Sequence, residues 1–214
     1  MLTEDYFIRY INQMLAAIAR IFGLRTAGQF QEAALSIQQA LEELFKLDLT
    51  IIDEMDDQDL LGVLETDETL DAHRAYFAGE IFYEKGKLYQ AWNDPQQAVR
   101  SALRALLFFS EAVLAGLPNE IAAPQEKVAE ILSQLPEKDL PDYLLAALYQ
   151  YFETIGNFQQ AEHSLQILCA LPEWKTATEE ELKSFYQRIL EKPDRQIEAG
   201  GLSRSYLESQ IIRR

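Results

Sequence analysis

One cysteine, Cys169, stands in 214 residues. That excludes an internal disulfide framework and suits a reducing cytosol. Glycine and proline are sparse, at nine and seven residues, and no β-rich alternating segment stands out. Long apolar runs are missing: none reaches the roughly 18 residues that span a bilayer. Glu4 and Asp5 occupy the place where a secretory leader carries positive charge, so no signal peptide is expected. Positive charge is short overall, with 19 Lys and Arg against 35 Asp and Glu, a formal net charge of −16. That balance argues against nucleic-acid phosphates or an anionic membrane as the main partner, because both need clustered cations. Dinucleotide-binding, Walker, nucleophile-elbow and zinc-protease motifs are absent, as is any Cys/His cluster.

What is present is helix-forming and apolar. Hydrophobic residues make up 48% of the chain, enough for a substantial core. Charge is uneven. Asp48, Asp53, Glu54, Asp56, Asp57, Asp59, Glu65, Asp67, Glu68 and Asp71 follow one another with no Lys or Arg among them, whereas the first helix and the C-terminus are basic.

Three short stretches say nearly the same thing: Gly28-Gln29-Phe30-Gln31-Glu32-Ala33, Asn93-Asp94-Pro95-Gln96-Gln97-Ala98 and Gly156-Asn157-Phe158-Gln159-Gln160-Ala161. Each is followed by Ser36, Ser101 or Ser164, and the copies lie about 65 residues apart, a spacing that marks a repeat. Gly28 and Gly156 suit a left-handed helix end, and Asn93 tolerates one. Pro95 suits the first turn of a helix. Ala33, Ala98 and Ala161 are small where two helices would cross. The pattern predicts three helical hairpins, at about 3–46, 69–116 and 139–171, against the alternative of three unrelated turns.

Periodicity fills in the rest. Ile8, Ile11, Leu15, Ile18 and Phe22 make one apolar stripe on the first helix, widened by Phe7, Met14 and Ile21. An irregular acidic connector is expected over 47–68, with a short helix near 57–64. A helix follows from about Pro124 to Leu135. Asp139 is expected to cap the next one, and Thr178-Glu179-Glu180-Glu181 to open a terminal helix over 178–191 as a capping box. Residues 1–192 then form one repeat domain, and 193–214 a flexible tail, with Gly200-Gly201 as its joint and a short amphipathic segment at Tyr206–Ile212.

The third hairpin resembles a tetratricopeptide unit through Leu148, Phe152, Gly156, Phe158 and Ala161, with Tyr149 departing from the small residue that family prefers. The second resembles it through Ala78-Gly79, Phe82 and Ala98, and the first through its corner alone. That resemblance implies an irregular right-handed superhelix. The whole chain also resembles a family of small uncharacterised bacterial helical proteins, through Asp5-Tyr6-Phe7-Ile8-Arg9-Tyr10-Ile11, Ile18-Ala19-Arg20-Ile21-Phe22-Gly23 and Asp48-Leu49. It implies a soluble cytoplasmic protein with tetratricopeptide-like packing and supplies no site residue.

In tetratricopeptide register His73, Tyr76, Glu80 and Tyr83 line a concave face, and Leu15, Ile18 and Phe22 do so in the first hairpin. Both sets are candidates for a partner-facing surface. The competing reading makes the tyrosines ordinary packing between helices. Exposed, Leu15, Ile18 and Phe22 need a cover: a partner, a second protomer or Tyr206–Ile212. With Arg9 and Arg20 on it, the first helix also offers a membrane-surface reading, which Glu4, Asp5 and the acidic body oppose. Tyr143, Ala146, Gln150 and Glu153 stand where a carboxylate clamp would need cations, so none is expected. Asp53-Glu54-x-x-Asp57 superficially resembles an Mg²⁺-diphosphate motif, but a solvated acidic connector fits it better. Cys169 reads as a small buried hydrophobe, with pairing to His163 left open.

The expectation is an all-α array of antiparallel helical hairpins, without cofactor or resident metal, that binds a peptide or helix between hairpins. No nucleic acid or membrane is expected as partner. The alternatives are a metal-dependent helical hydrolase using Asp53–Asp57, and a structural homodimer.

Overall fold

The computed structural model describes residues 2–118 and 124–212 and is all-α. The chain divides into two compact units, Met1–Pro136 and Glu137–Arg214, where the sequence reading has one repeat domain over 1–192 followed by a tail.

In the first unit α1 (Leu2–Thr26) and α2 (Phe30–Phe45) form a hairpin. Next come α3 (Leu49–Glu54) and α4 (Asp57–Val63). Two two-residue strands, β1 (Glu65–Thr66) and β2 (Thr69–Leu70), pair across Asp67 and Glu68. Both turn residues have positive φ, 51° and 61°, the type I′ geometry of a tight β-hairpin. The second helical hairpin is α5 (Ala72–Ala91) with α6 (Pro95–Leu114), and α7 (Gln125–Gln134) lies against it. Helix α5 packs on both α1 and α2. The core between them holds Phe45, Phe82 and Phe108, with ring centroids 5.6 to 6.3 Å apart.

The three repeated corners are one structure. Gly28, Asn93 and Gly156 have φ of 75°, 57° and 80°. In each corner that residue's N–H donates to the carbonyl three residues back, and the next N–H to the carbonyl five back of it: Gly28 to Arg25 and Gln29 to Leu24, Asn93 to Gln90 and Asp94 to Tyr89, Gly156 to Glu153 and Asn157 to Phe152, all at 2.8 to 3.1 Å. This is the Schellman closure of a helix end. Ala33, Ala98 and Ala161 are buried, and so are Ser36, Ser101 and Ser164. Asp94 and Asn157 then cap the second helix by accepting from Gln97 and Gln160 N–H.

Gly79 holds α5 and α6 together at close range. A Cβ built there would lie 2.6 and 2.8 Å from carbons of the Phe109 ring, which is fully buried and cannot swing away. Gly79→Ala should therefore cost about 1–3 kcal/mol through overpacking. Its helical φ would otherwise make alanine stabilising. Urea unfolding gives the sign.

In the second unit a 3₁₀ turn (Glu137–Asp139) leads into α8 (Asp142–Thr154), which makes a hairpin with α9 (Phe158–Ala170). The hairpin's second helix packs on α10 (Lys175–Leu190), followed by α11 (Asp194–Ala199) and α12 (Arg204–Ile212). Asp139 does not cap α8: Pro141 is at the N-cap, with no side-chain bond. Thr178 does not open α10 either. The helix starts at Lys175, because Trp174 N–H bonds the Leu171 carbonyl and the Trp174 indole donates to Asp142 at 2.7 Å. Thr178 is buried within α10, its hydroxyl donating to the Trp174 carbonyl. Residues 194–199 and 204–212 form α11 and α12, helix where a flexible tail was expected. Arg204 donates to the carbonyls of Leu190 and Lys192, both at 2.9 Å, closing the end of α10, and Leu207 is fully buried.

The Tyr151 phenol is buried in this unit without a hydrogen-bond partner, and burial pushes its pKa up to about 12. The unfolded phenol ionises near 10. Between these values the unfolded chain binds fewer protons, so stability is present below about pH 10 and falls as pH rises toward 12. Tyr151→Phe should flatten that alkaline decline. It should also add about 1 kcal/mol at neutral pH, since no bond is lost with the hydroxyl. Thermal melts from pH 7 to 11 measure both effects.

Candidate functional site

Helix α5 does bring Tyr76, Glu80 and Tyr83 together, but Glu80 and Tyr83 meet the chain's own α7. Glu80 is buried and takes Lys127 at 2.5 Å. Tyr83 donates to Glu130 at 2.5 Å, and Lys87 pairs with the same carboxylate. Those two contacts hold the Glu130 carboxyl below its usual range, while burial and Glu130 push the Tyr83 phenol up. Tyr76 packs on Phe77 and Phe109, its phenol raised by burial first and by Glu80 second. Gln90 also bonds Gln134, and Val128 and Ile131 are buried. His73 sits in the first turn, its N–H donating to the capping Asp71. The Glu80 and Tyr83 part of the predicted concave stripe is thus the seat of α7. A cleft of about 160 Å³ remains among Tyr83, Lys87, Val99, Ile131 and Gln134, smaller than the roughly 300–1,000 Å³ of ordinary small-molecule sites.

Two acids of the connector, Asp53 and Asp57, are clamped, whereas Glu54, Asp56, Asp59, Asp67 and Glu68 are exposed as a solvated connector requires. Lys85 of α5 reaches Asp53 at 2.6 Å. Arg104 of α6, almost fully buried, donates to Asp57 at 2.9 Å and to the carbonyls of Ile52 and Met55 at 3.0 and 2.6 Å. Its guanidinium lies 5.4 Å from the Phe82 ring centre, a cation–π contact. Burial lowers the Lys85 pKa, against the opposing pull of Asp53. Sequence reasoning missed these cations. The available signal was a Lys and an Arg inside the apolar faces of α5 and α6. Asp53 and Asp57 are engaged by side chains of their own unit. Among the described residues no group of three or more His, Cys, Asp and Glu is placed to hold a metal ion.

In the second unit Cys169 is half-buried, and His163 is exposed and bonds Glu137 at 2.7 Å. Buried Glu162 accepts from Tyr186 and Tyr206, at 2.6 and 2.7 Å, so Tyr206 works as an internal anchor. Arg188 ties Glu153, Glu181 and Tyr149 into one network.

Helix α1 carries two apolar stripes. One, holding Met14 and Ile21 with Tyr10, Ala17 and Leu24, faces the core: Met14 and Ile21 are buried and the other three half-buried. The other lies about 120° around the helix, at 100° per residue. There Ile8, Leu15 and Phe22 are 57%, 43% and 52% exposed, with Ile11 and Ile18 half-buried between them. The open flank of this stripe is Asn12, Ala16, Ala19 and Gly23, all exposed, small and uncharged. Scattered exposed hydrophobes are ordinary, but five in register make a contiguous patch. Arg25 closes the far end of α1 by pairing with buried Glu84 at 2.6 Å. No described helix is long and apolar enough to cross a membrane.

Neither a curated protein nor a solved structure matches the chain. A family model matches residues 1–211, nearly the whole length, and the chain accordingly belongs to that family, DUF6483, a family of unknown function.

Proposed function

We propose that the chain is a protein-interaction module of tetratricopeptide-like build, which acts through surface shape and docks a partner on the exposed stripe of α1. The observation that carries this is the register of Ile8, Leu15 and Phe22 on the solvent side of a helix whose other stripe already serves the core. The likeness to tetratricopeptide packing draws support from α5 resting on both α1 and α2 and from the small Ala33 and Ala98 at the crossings. A peptide in the groove of the second hairpin is less well supported, because α7 is seated there. The hydrolase alternative finds no support in a stretch whose Asp53 and Asp57 are held by Lys85 and Arg104.

The test is a photo-crosslinking residue at Leu15, with Gln58, exposed on α4, as the control position. In native extract, adducts to protein, a second copy included, should form at 15 and not at 58. Equal labelling, or none at 15, would remove the reading.

A further inference from the structure

We infer that the occupant of the α1 stripe is the same stripe of a second copy, forming an antiparallel two-fold seam. This rests on α1 being the docking face and names its partner. The stripe residues 8, 11, 15, 18 and 22 alternate in steps of three and four. That is the a/d pattern of a helix that pairs with another helix. The pattern complements itself on reversal: Leu15 of one copy meets Ile18 of the other, and Phe22 meets Ile11. The bulky ring thus falls beside a smaller side chain, and the two helix dipoles oppose each other. Asn12, Ala16, Ala19 and Gly23 let the backbones approach without burying a charge.

Charge permits a second copy on this face. The chain carries −16, yet no Asp or Glu occurs from Tyr6 to Gln31. Two copies meeting along α1 therefore set no carboxylates of that stretch against each other, whereas contact through the acidic connector would cost like-charge repulsion. Arg9 and Arg20, both exposed, lie about 140–160° around the helix from the stripe at 100° per residue, so the seam sets no cation of one copy against the other. A strongly basic partner would be drawn to the acidic connector instead.

Light scattering of the full chain across a hundred-fold range of concentration tests this. The expected mass is twice 24.5 kDa, falling to 24.5 kDa for Leu15→Asp with its helical circular dichroism unchanged. Ala19→Arg, at an exposed position on the flank, should dissociate the pair in the same way without touching the core-facing stripe. Register is read by mixing Leu15→Cys and Ile18→Cys chains, each with Cys169→Ser. Oxidation should link the mixed pair in preference to either pair of like chains. A monomer at every concentration overturns the inference, as does a dimer that survives both substitutions. If the monomer still forms adducts to a different protein from position 15, the second copy is wrong and the docking face stands. If it forms none, both fail.

Discussion

Arg104→Met should cost about 3–5 kcal/mol, which is the scale for removing one partner of a buried ion pair. Methionine fills much of the same volume, so the loss is electrostatic in origin. The guanidinium satisfies one carboxylate and two backbone carbonyls at once, and its removal takes the cation from Asp57 and the donors from the Ile52 and Met55 carbonyls between α3, α4 and α6. Arg104→Lys should recover only part of the loss, because one ammonium cannot reproduce the planar fork. Arg100→Met is the control. Arg100 is exposed and donates to the Asp53 carbonyl, so its loss should stay within about 0.5 kcal/mol. Urea midpoints of the three variants decide the matter. A loss below about 1 kcal/mol for Arg104→Met would mean that the connector is held by Ile52, Leu60 and Leu61 alone.

Gly200→Ala should release the C-terminal helices of the second unit. The φ of Gly200 is −81°, a value any residue adopts, so the backbone itself is not strained. The obstacle is space. A Cβ would stand 2.2 Å from the Phe158 ring and 2.6 Å from the Gly156 carbonyl oxygen. The ring is buried, and the oxygen belongs to the third repeated corner, which the Schellman bonds hold. The Gly200 carbonyl also receives the Gln159 N–H at 2.9 Å. A forced shift would break that bond and draw Leu207 and Tyr206 off their seats. The expected cost is about 3 kcal/mol, at the upper end of overpacking penalties. Trypsin should then cut after Arg195 and Arg204, bonds that the native helices α11 and α12 hold. Gly116→Ala is the contrasting case: φ is 86° and nothing lies within 4 Å, so strain alone acts, at about 1 kcal/mol. Equal losses at the two positions would contradict the packing argument.

The corners were legible because their chemistry is local. A residue tolerant of positive φ, a small residue at the helix crossing and a serine one turn later recur in register, and the bonds that close the bend join residues three and five apart. The helices were legible for the same reason. What failed depends on contacts distant in sequence. Thr178 with Glu181 has the composition of a capping box, but Trp174, fixed by Asp142, starts the helix earlier. Gly200-Gly201 has the composition of a joint, yet Gly200 is glycine because Phe158 leaves no room for more. Lys85 and Arg104 find their acids 32 and 47 residues away, beyond any local pattern. Glu80 and Tyr83 were read as partner-facing from one helix, and their cover arrives with Lys127 and Glu130 on another. The stripe of Leu15, Ile18 and Phe22 was visible as apolar periodicity. Which of the two stripes of α1 faces inward was not, because that choice is made by Phe77, Ala33 and their neighbours in three dimensions.

The most direct measurement of the role given to α1 is amide hydrogen exchange over residues 8–22 as a function of protein concentration. A paired stripe predicts protection that rises with concentration in this segment, while α9 and α10 stay constant. Protection that is the same at low and high concentration, with no other protein bound, would contradict it.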